Sequence, residues 1–203
     1  MLEQAIQFFL AGGWVMYPLL LISLLSFTLI FERTLFWVIG PERRGAARMQ
    51  KYLALLGRNE NEQALSHSKR DRSLEGVLVA RSLNAGRPTE SMLIGQIETL
   101  RPAIERFAPT LGAIIAAAPL LGILGTVTGI IHSFDLLGDA SSVSDPALVA
   151  GGIAEALYTT AFGLSIALVT LFPHVYFKTC AERALGRLEL LAGAIADQPR
   201  ERD

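Results

Sequence analysis

FAPTLGAIIAAAPLLGILGTVTGIIHSF, residues Phe107–Phe134, runs for 28 residues without Asp, Glu, Lys or Arg. As a helix rising 1.5 Å per residue it would extend about 42 Å, more than the roughly 30 Å of a bilayer's hydrocarbon core. Two further stretches behave alike: Gln4–Phe31, again 28 residues, and Ala156–Phe177, 22 residues in which only His174 is ionisable near neutral pH. The chain of 203 residues is 51% hydrophobic and 18% charged, the composition of a membrane protein. Nucleic-acid binding, a soluble Rossmann enzyme and a disulfide-stapled secreted domain are all poor fits. The single cysteine, Cys180, has no partner for an internal disulfide.

The first apolar run, with its heart at Trp14–Phe31, leaves through Glu32, Arg33, Trp37 and Val38, residues suited to the headgroup zone. Glu3 precedes it, no Lys or Arg does, and no small-residue cleavage site follows. A retained anchor is therefore expected ahead of a signal peptide. Basic residues are segregated: 13 lie between Arg33 and Arg106, none in 107–177, and five between Lys178 and Arg202. Because Lys and Arg collect on the cytoplasmic side, both basic segments are expected inside. Asp135, Asp139 and Asp145, with Gly138 and Pro146 as breakers, make a short acidic loop outside. The expected order is an outside segment 1–13, a first span 14–38, a cytoplasmic helical region 39–108, a second span 109–134, an outside loop 135–149, a third span 150–177 and a cytoplasmic helix and tail 178–203. The fold class is all-α, three transmembrane helices extending into a helical stalk.

The stalk is not a linker, since apolar residues recur there at helical spacing. Tyr52, Leu55 and Leu56 form one stripe; Leu74, Val77, Leu78 and Leu83 another; Leu93, Ile94, Ile97, Leu100, Ile104 and Phe107 a third. Thr89 after Gly86-Arg87-Pro88 reads as the N-cap of a helix that continues past Pro102 and Pro109, kinked, into the second span. Leu185, Leu188, Leu191, Ala192 and Ile195 carry the third helix into the stalk. No internal repeat of a two-halved transporter is visible.

Chemistry has few locations. His67, His132 and His174 fall in three different parts of the chain, so no metal site is expected. Gly122-Ile-Leu-Gly-Thr-Val-Thr-Gly129 lacks the Lys and preceding strand of a phosphate loop. Gly122, Gly125 and Gly129 share one helix face, the last two as a GxxxG pair that admits a close helix. Glu155 is the carboxylate belonging to a membrane helix, where charge costs a few kcal/mol unless it meets water or a partner; an alternative is a carboxylate favoured by the helix N-terminus. Thr159 stands at i+4 from Glu155, and Thr160 turns roughly 140° away. Thr126, Thr128 and Ser165 add hydroxyls, each able to bond its own helix instead. No Ser-His pair or second Asp shares a plausible hydrolytic site, so no enzyme and no cofactor is expected.

Ala118-Pro-Leu-Leu-Gly-Ile-Leu-Gly-Thr-Val-Thr-Gly-Ile-Ile-His-Ser-Phe134 resembles the second-span signature of the ExbB/TolQ/MotA proton-channel family. Gly152-Ile-Ala-Glu-Ala-Leu-Tyr-Thr-Thr-Ala-Phe-Gly163 resembles its third-span signature. Length and three spans suit the ExbB/TolQ branch, since flagellar stators carry a fourth span. The resemblance implies a homopentamer in the bacterial inner membrane, N-terminus outside and C-terminus cytoplasmic. Its pore would hold an ExbD/TolR-like single-span partner whose membrane Asp carries protons, and a TonB-like or Tol-system protein would receive the work. It also implies pore positions for Thr126, Glu155 and Thr160. Helical geometry favours Thr159 as the neighbour of Glu155, so Thr160 ranks first by motif with Thr159 as its rival. The family often has Trp or a similarly bulky residue at the position of Thr128. A non-conducting scaffold, in which the glycines only pack helices, is the competing expectation.

Overall fold

The computed structural model describes residues 9, 12–86, 88–138 and 146–198, and these residues are all-α. The helices are α1 (Met16–Thr34), continued by a π-helical turn Leu35–Ile39 and a 3-10 turn Pro41–Arg44, then α2 (Gly45–Gly57), α3 (Asn61–Ser68), α4 (Leu74–Asn84), α5 (Glu90–Ile104), α6 (Ala108–Gly138) and α7 (Pro146–Ala196). Three are long and apolar enough to cross a membrane, over Met16–Ile39, Ala108–Asp135 and within Val149–Ala196. Most of the expected outside segment 1–13, and Asp139 and Asp145 of the acidic loop, lie outside the described residues.

Two compact units emerge, one from residues up to 31 with 109–175, the other from 32–108 with 176 onward. In the first, α6 and α7 run antiparallel: along α6, Gly112, Gly122 and Gly129 meet His174, Thr160 and Ala156 of α7 in turn. The first helix runs parallel to α7. Gly13, just before α1, lies at Glu155, and Ser26 lies at Thr170. Thr170 Oγ1 gives its proton to Ile166 O at 2.7 Å, so the 2.7 Å Ser26–Thr170 bond is donated by Ser26. Such a bond between membrane helices is worth about 0.6–2 kcal/mol. Leu19, Leu111, Ile114, Ala118, Ala156 and Ile166 are buried, while Leu21, Phe27, Leu120, Phe134, Val169 and Phe172 each expose more than 60% of their surface. That outward apolar surface is what hydrocarbon tolerates and water does not.

The second unit is a polar-surfaced helical bundle. Tyr52, Leu56, Leu74, Leu78, Val79, Leu93, Ile97, Leu100 and Ile104 are buried with Leu185, Leu188, Leu191, Ala192 and Ile195. Ile94, placed in the third stripe by spacing, is exposed, so the apolar face of α5 is narrower than its sequence suggests. Thr89 caps α5, its side chain accepting from Met92 N. The expected continuous helix from Thr89 into the second span is broken: α5 ends at Ile104 and α6 begins at Ala108. Phe107 takes a left-handed φ of 66°, and Pro109 falls in the first turn of α6, where its missing N–H costs nothing. Arg33, almost fully buried, donates to the carbonyls of Ala103 at 3.2 Å and Ile104 at 3.5 Å. It thereby satisfies acceptors that the end of α5 leaves open.

An ionic cluster lies inside this unit. Arg187 Nε donates to Glu75 Oε1 at 2.7 Å, and its Nη2 stands 3.8 Å from Glu42 Oε2. Glu42 Oε1 accepts from Leu74 N at 3.0 Å. Burial, then the nearby Glu75 carboxylate, push the Glu42 carboxyl up to about 7 from 4.5. The folded unit therefore binds a proton that the unfolded chain releases between about pH 4.5 and 7, so stability falls as pH rises through that window. Thermal unfolding is expected to show this unit about 1–2 kcal/mol more stable at pH 5.5 than at pH 8. Glu42→Gln, which keeps the bond from Leu74 N, should flatten the dependence; an unchanged pH slope in that variant would remove Glu42 as its source.

Candidate functional site

The two signature motifs face each other across the α6–α7 contact. A Cβ on Gly122 would come within 2.9 Å of Thr160 Cα and 3.0 Å of Thr159 O, and one on Gly129 within 2.9 Å of Ala156 Cβ. On Gly125 it would sit 2.5 Å from Thr159 Cβ. The missing side chains on this face are thus replaced by α7 itself, the close approach that small residues permit.

That approach decides what the hydroxyls do. Thr159, 1% exposed, fills the notch at Gly125; its Oγ1 contacts Ala156 O at 2.8 Å and Gly122 O at 3.3 Å. Thr160 Oγ1 donates to the same Gly122 carbonyl at 2.9 Å. Thr126 Oγ1 donates to Ile123 O at 2.6 Å, and Thr128 Oγ1 lies 3.0 Å from Leu124 O and 3.1 Å from Gly125 O. Each hydroxyl proton has a carbonyl acceptor, leaving the oxygen lone pairs to meet water or a partner. Thr160 and Thr126 are half-buried, unlike Thr159.

Glu155 stands apart from this cluster. It is half-buried on α7 and lies against Gly13, while the Thr159 hydroxyl bonds carbonyls instead. The structure therefore brings Thr159 and Thr160 together with Gly122 and Gly125, and leaves Glu155 with the turn before α1. Sequence reasoning missed Gly13 and Gly163. The latter packs on the Ala118 carbonyl, and a Cβ there would also lie 3.2 Å from Gly122 Cα. The Gly12-Gly13 pair before an apolar run was an available signal for the first, and the four-residue spacing of Thr159 and Gly163 for the second. Among the described residues no group of His, Cys, Asp and Glu side chains could hold a metal ion.

The model of the MotA/TolQ/ExbB proton channel family matches residues 69–190. A Synechocystis protein described as "Putative biopolymer transport protein ExbB-like 3" is 34% identical over 207 residues, covering 96% of this chain and 98% of the relative. A second from that organism, "ExbB-like 1", is 34% identical over 188 residues, 80% of this chain and 66% of the relative. A "Tol-Pal system protein TolQ" of Pseudomonas aeruginosa is 33% identical over 105 residues, and there the match spans 48% of this chain and 45% of the relative.

Proposed function

Because the chain belongs to the MotA/TolQ/ExbB proton channel family, we propose that it is the proton-channel subunit of an inner-membrane motor, doing mechanical work rather than catalysis. The N-terminus lies outside, and the basic helical unit and C-terminus lie in the cytoplasm. Five copies surround an ExbD/TolR-like single-span partner whose membrane Asp is loaded and unloaded by protons. Each charge crossing 100 mV supplies roughly 2.3 kcal/mol, so a few protons drive a mechanical step. The receiving system is TonB-dependent outer-membrane import or related biopolymer transport; the TolQ likeness keeps a Tol-Pal envelope role as the alternative.

The supporting observation is the α6–α7 contact, in which both motifs meet and Thr160 joins them through the Gly122 carbonyl. Glu155 supplies a carboxylate on the same helix, and Thr126 and Thr160 offer lone pairs to water along the path. One feature favours the competing scaffold: all these hydroxyls already donate to carbonyls, as purely structural threonines do. Proton flux into liposomes holding the subunit and its partner, under an imposed potential, separates the two readings. Glu155→Ala is expected to lower flux while the oligomer remains intact. Thr126→Val with Thr160→Val should lower it further by removing water-binding oxygens. Wild-type flux from an assembled Glu155→Ala complex would reject the pore role of this carboxylate, and wild-type flux from the double Val variant would reject the hydroxyl path.

A further inference from the structure

We propose that Gly13 is the positioning residue for Glu155, its missing side chain forming the seat that holds the carboxylate at the turn where the first span begins. The inference rests on Glu155 being the pore carboxylate, as argued above. A Cβ built on Gly13 would fall on Glu155 Oε1, 2.9 Å from Cδ and 3.7 Å from Cγ. The carboxylate oxygen thus occupies the space that any other residue at 13 would fill.

A second, independent constraint acts on the same residue. Gly13 has a φ of 64°, the left-handed region that residues bearing a Cβ rarely adopt. The turn is fixed on both sides. Gly12 N donates to Phe9 O at 3.3 Å, Met16 N to Gly13 O at 3.2 Å and Tyr17 N to Trp14 O at 3.2 Å. Val15, Met16 and Leu19 then anchor it, each no more than 2% exposed. Facing this rigid turn, Glu155 has no hydrogen bond or ion pair among the described residues. Contact with Gly13 is therefore what limits how far the carboxylate reaches toward α1. Trp14, beside the seat, lies just before the apolar helix Met16–Ile39 begins, a position where Trp marks the membrane–water boundary. The seat accordingly sets the carboxylate at the end of the proton path rather than at mid-membrane.

The test uses the full-length subunit with its partner in liposomes, with assembly checked by co-purification. Gly13→Ala should lower proton flux roughly tenfold, because displacement of a working group by about 1 Å carries penalties of that size or greater. Glu155→Asp alone should also lower it. Combining the two should raise flux above that of Gly13→Ala, since removing one methylene withdraws the carboxylate from the new Cβ. Backbone strain at residue 13 is the same in both Ala variants, so that rescue reports the seat and not the turn. Wild-type flux from Gly13→Ala, or no gain on adding Glu155→Asp, would overturn the proposal.

A cross-link supplies the measurement that needs no flux. With Cys180→Ser as background, Gly13→Cys and Glu155→Cys in native membranes should form an intrachain disulfide on mild oxidation, because the sulfur at 155 takes the place of Cγ beside the new Cβ. Absence of that disulfide by peptide mapping overturns the seat. If instead the disulfide forms and Glu155→Ala conducts like wild type, the seat stands and the pore role of Glu155 falls.

Discussion

Arg187→Leu is expected to cost the polar helical unit about 3–5 kcal/mol, the penalty for leaving buried carboxylates without their counter-charge. Glu75 is fully buried and Glu42 is 6% exposed, and both reach the same guanidinium. Each already has one oxygen, Oε2, buried without a hydrogen bond. Deleting the cation strands the Glu75 carboxylate in a medium that penalises it, and removes one of the charges that favour ionisation of Glu42. Against the 5–15 kcal/mol typical of a whole domain, that loss is enough to expose the unit to proteases. Gly45 closes the cluster from α2: a Cβ there would meet Arg187 Nη2 at 2.5 Å and Glu75 Oε1 at 2.7 Å. Arg187→Lys should recover part of the loss, restoring charge but not the forked donor geometry. The triple variant Arg187→Leu, Glu42→Gln, Glu75→Gln should recover more, since the cost lies in unpaired charge. Limited proteolysis and hydrogen exchange of the unit check this ordering. Wild-type protection in Arg187→Leu would show that the carboxylates find protons or other partners without strain.

The cluster also shows why part of the fold was not legible in the sequence. Glu42, Glu75 and Arg187 lie far apart in the chain, and each resembles an ordinary surface charge among neighbours of mixed sign. The three spans were legible because an uncharged run longer than the bilayer is a local property. Capping of α5 by Thr89 was local too. The break at 105–107 was not, because Pro102 and Pro109 fit a kinked continuous helix as well as an end and a restart. Choosing between Thr159 and Thr160 needed the partner helix: spacing along α7 pairs Thr159 with Glu155, whereas the close contact with α6 draws Thr159 into the notch at Gly125. Gly122, Gly125 and Gly129 could be read as a packing face from one helix alone. Their order of importance could not, because it depends on whether backbone or side chain stands opposite.

That order gives the second large effect, at a glycine outside the GxxxG pair. Gly163 faces the backbone of α6, its absent Cβ lying against the Ala118 carbonyl and 3.2 Å from Gly122 Cα. A side chain there has nothing flexible to displace, so the two helices must separate. Gly125 instead faces Thr159, whose Cβ would lie 2.5 Å from a new carbon, so α7 must shift there as well, but alanine adds one carbon where leucine adds four. Gly163→Leu is therefore expected to destabilise the α6–α7 pair by about 3 kcal/mol or more, above the usual overpacking range of about 1–3 kcal/mol that Gly125→Ala should fall within. Gly151 supplies the control on the same helix, with no atom within 4 Å of a built Cβ; Gly151→Ala should be neutral or slightly stabilising, because alanine is the better helix former. The readout is the fraction of intact oligomer recovered from detergent across a temperature series, which should fall in the order Gly151→Ala, Gly125→Ala, Gly163→Leu. Recovery of Gly163→Leu equal to that of Gly151→Ala would mean that the helices do not meet at the Ala118 carbonyl. The Thr160 bond to Gly122, and with it the joining of the two motifs, would then lose its geometric basis.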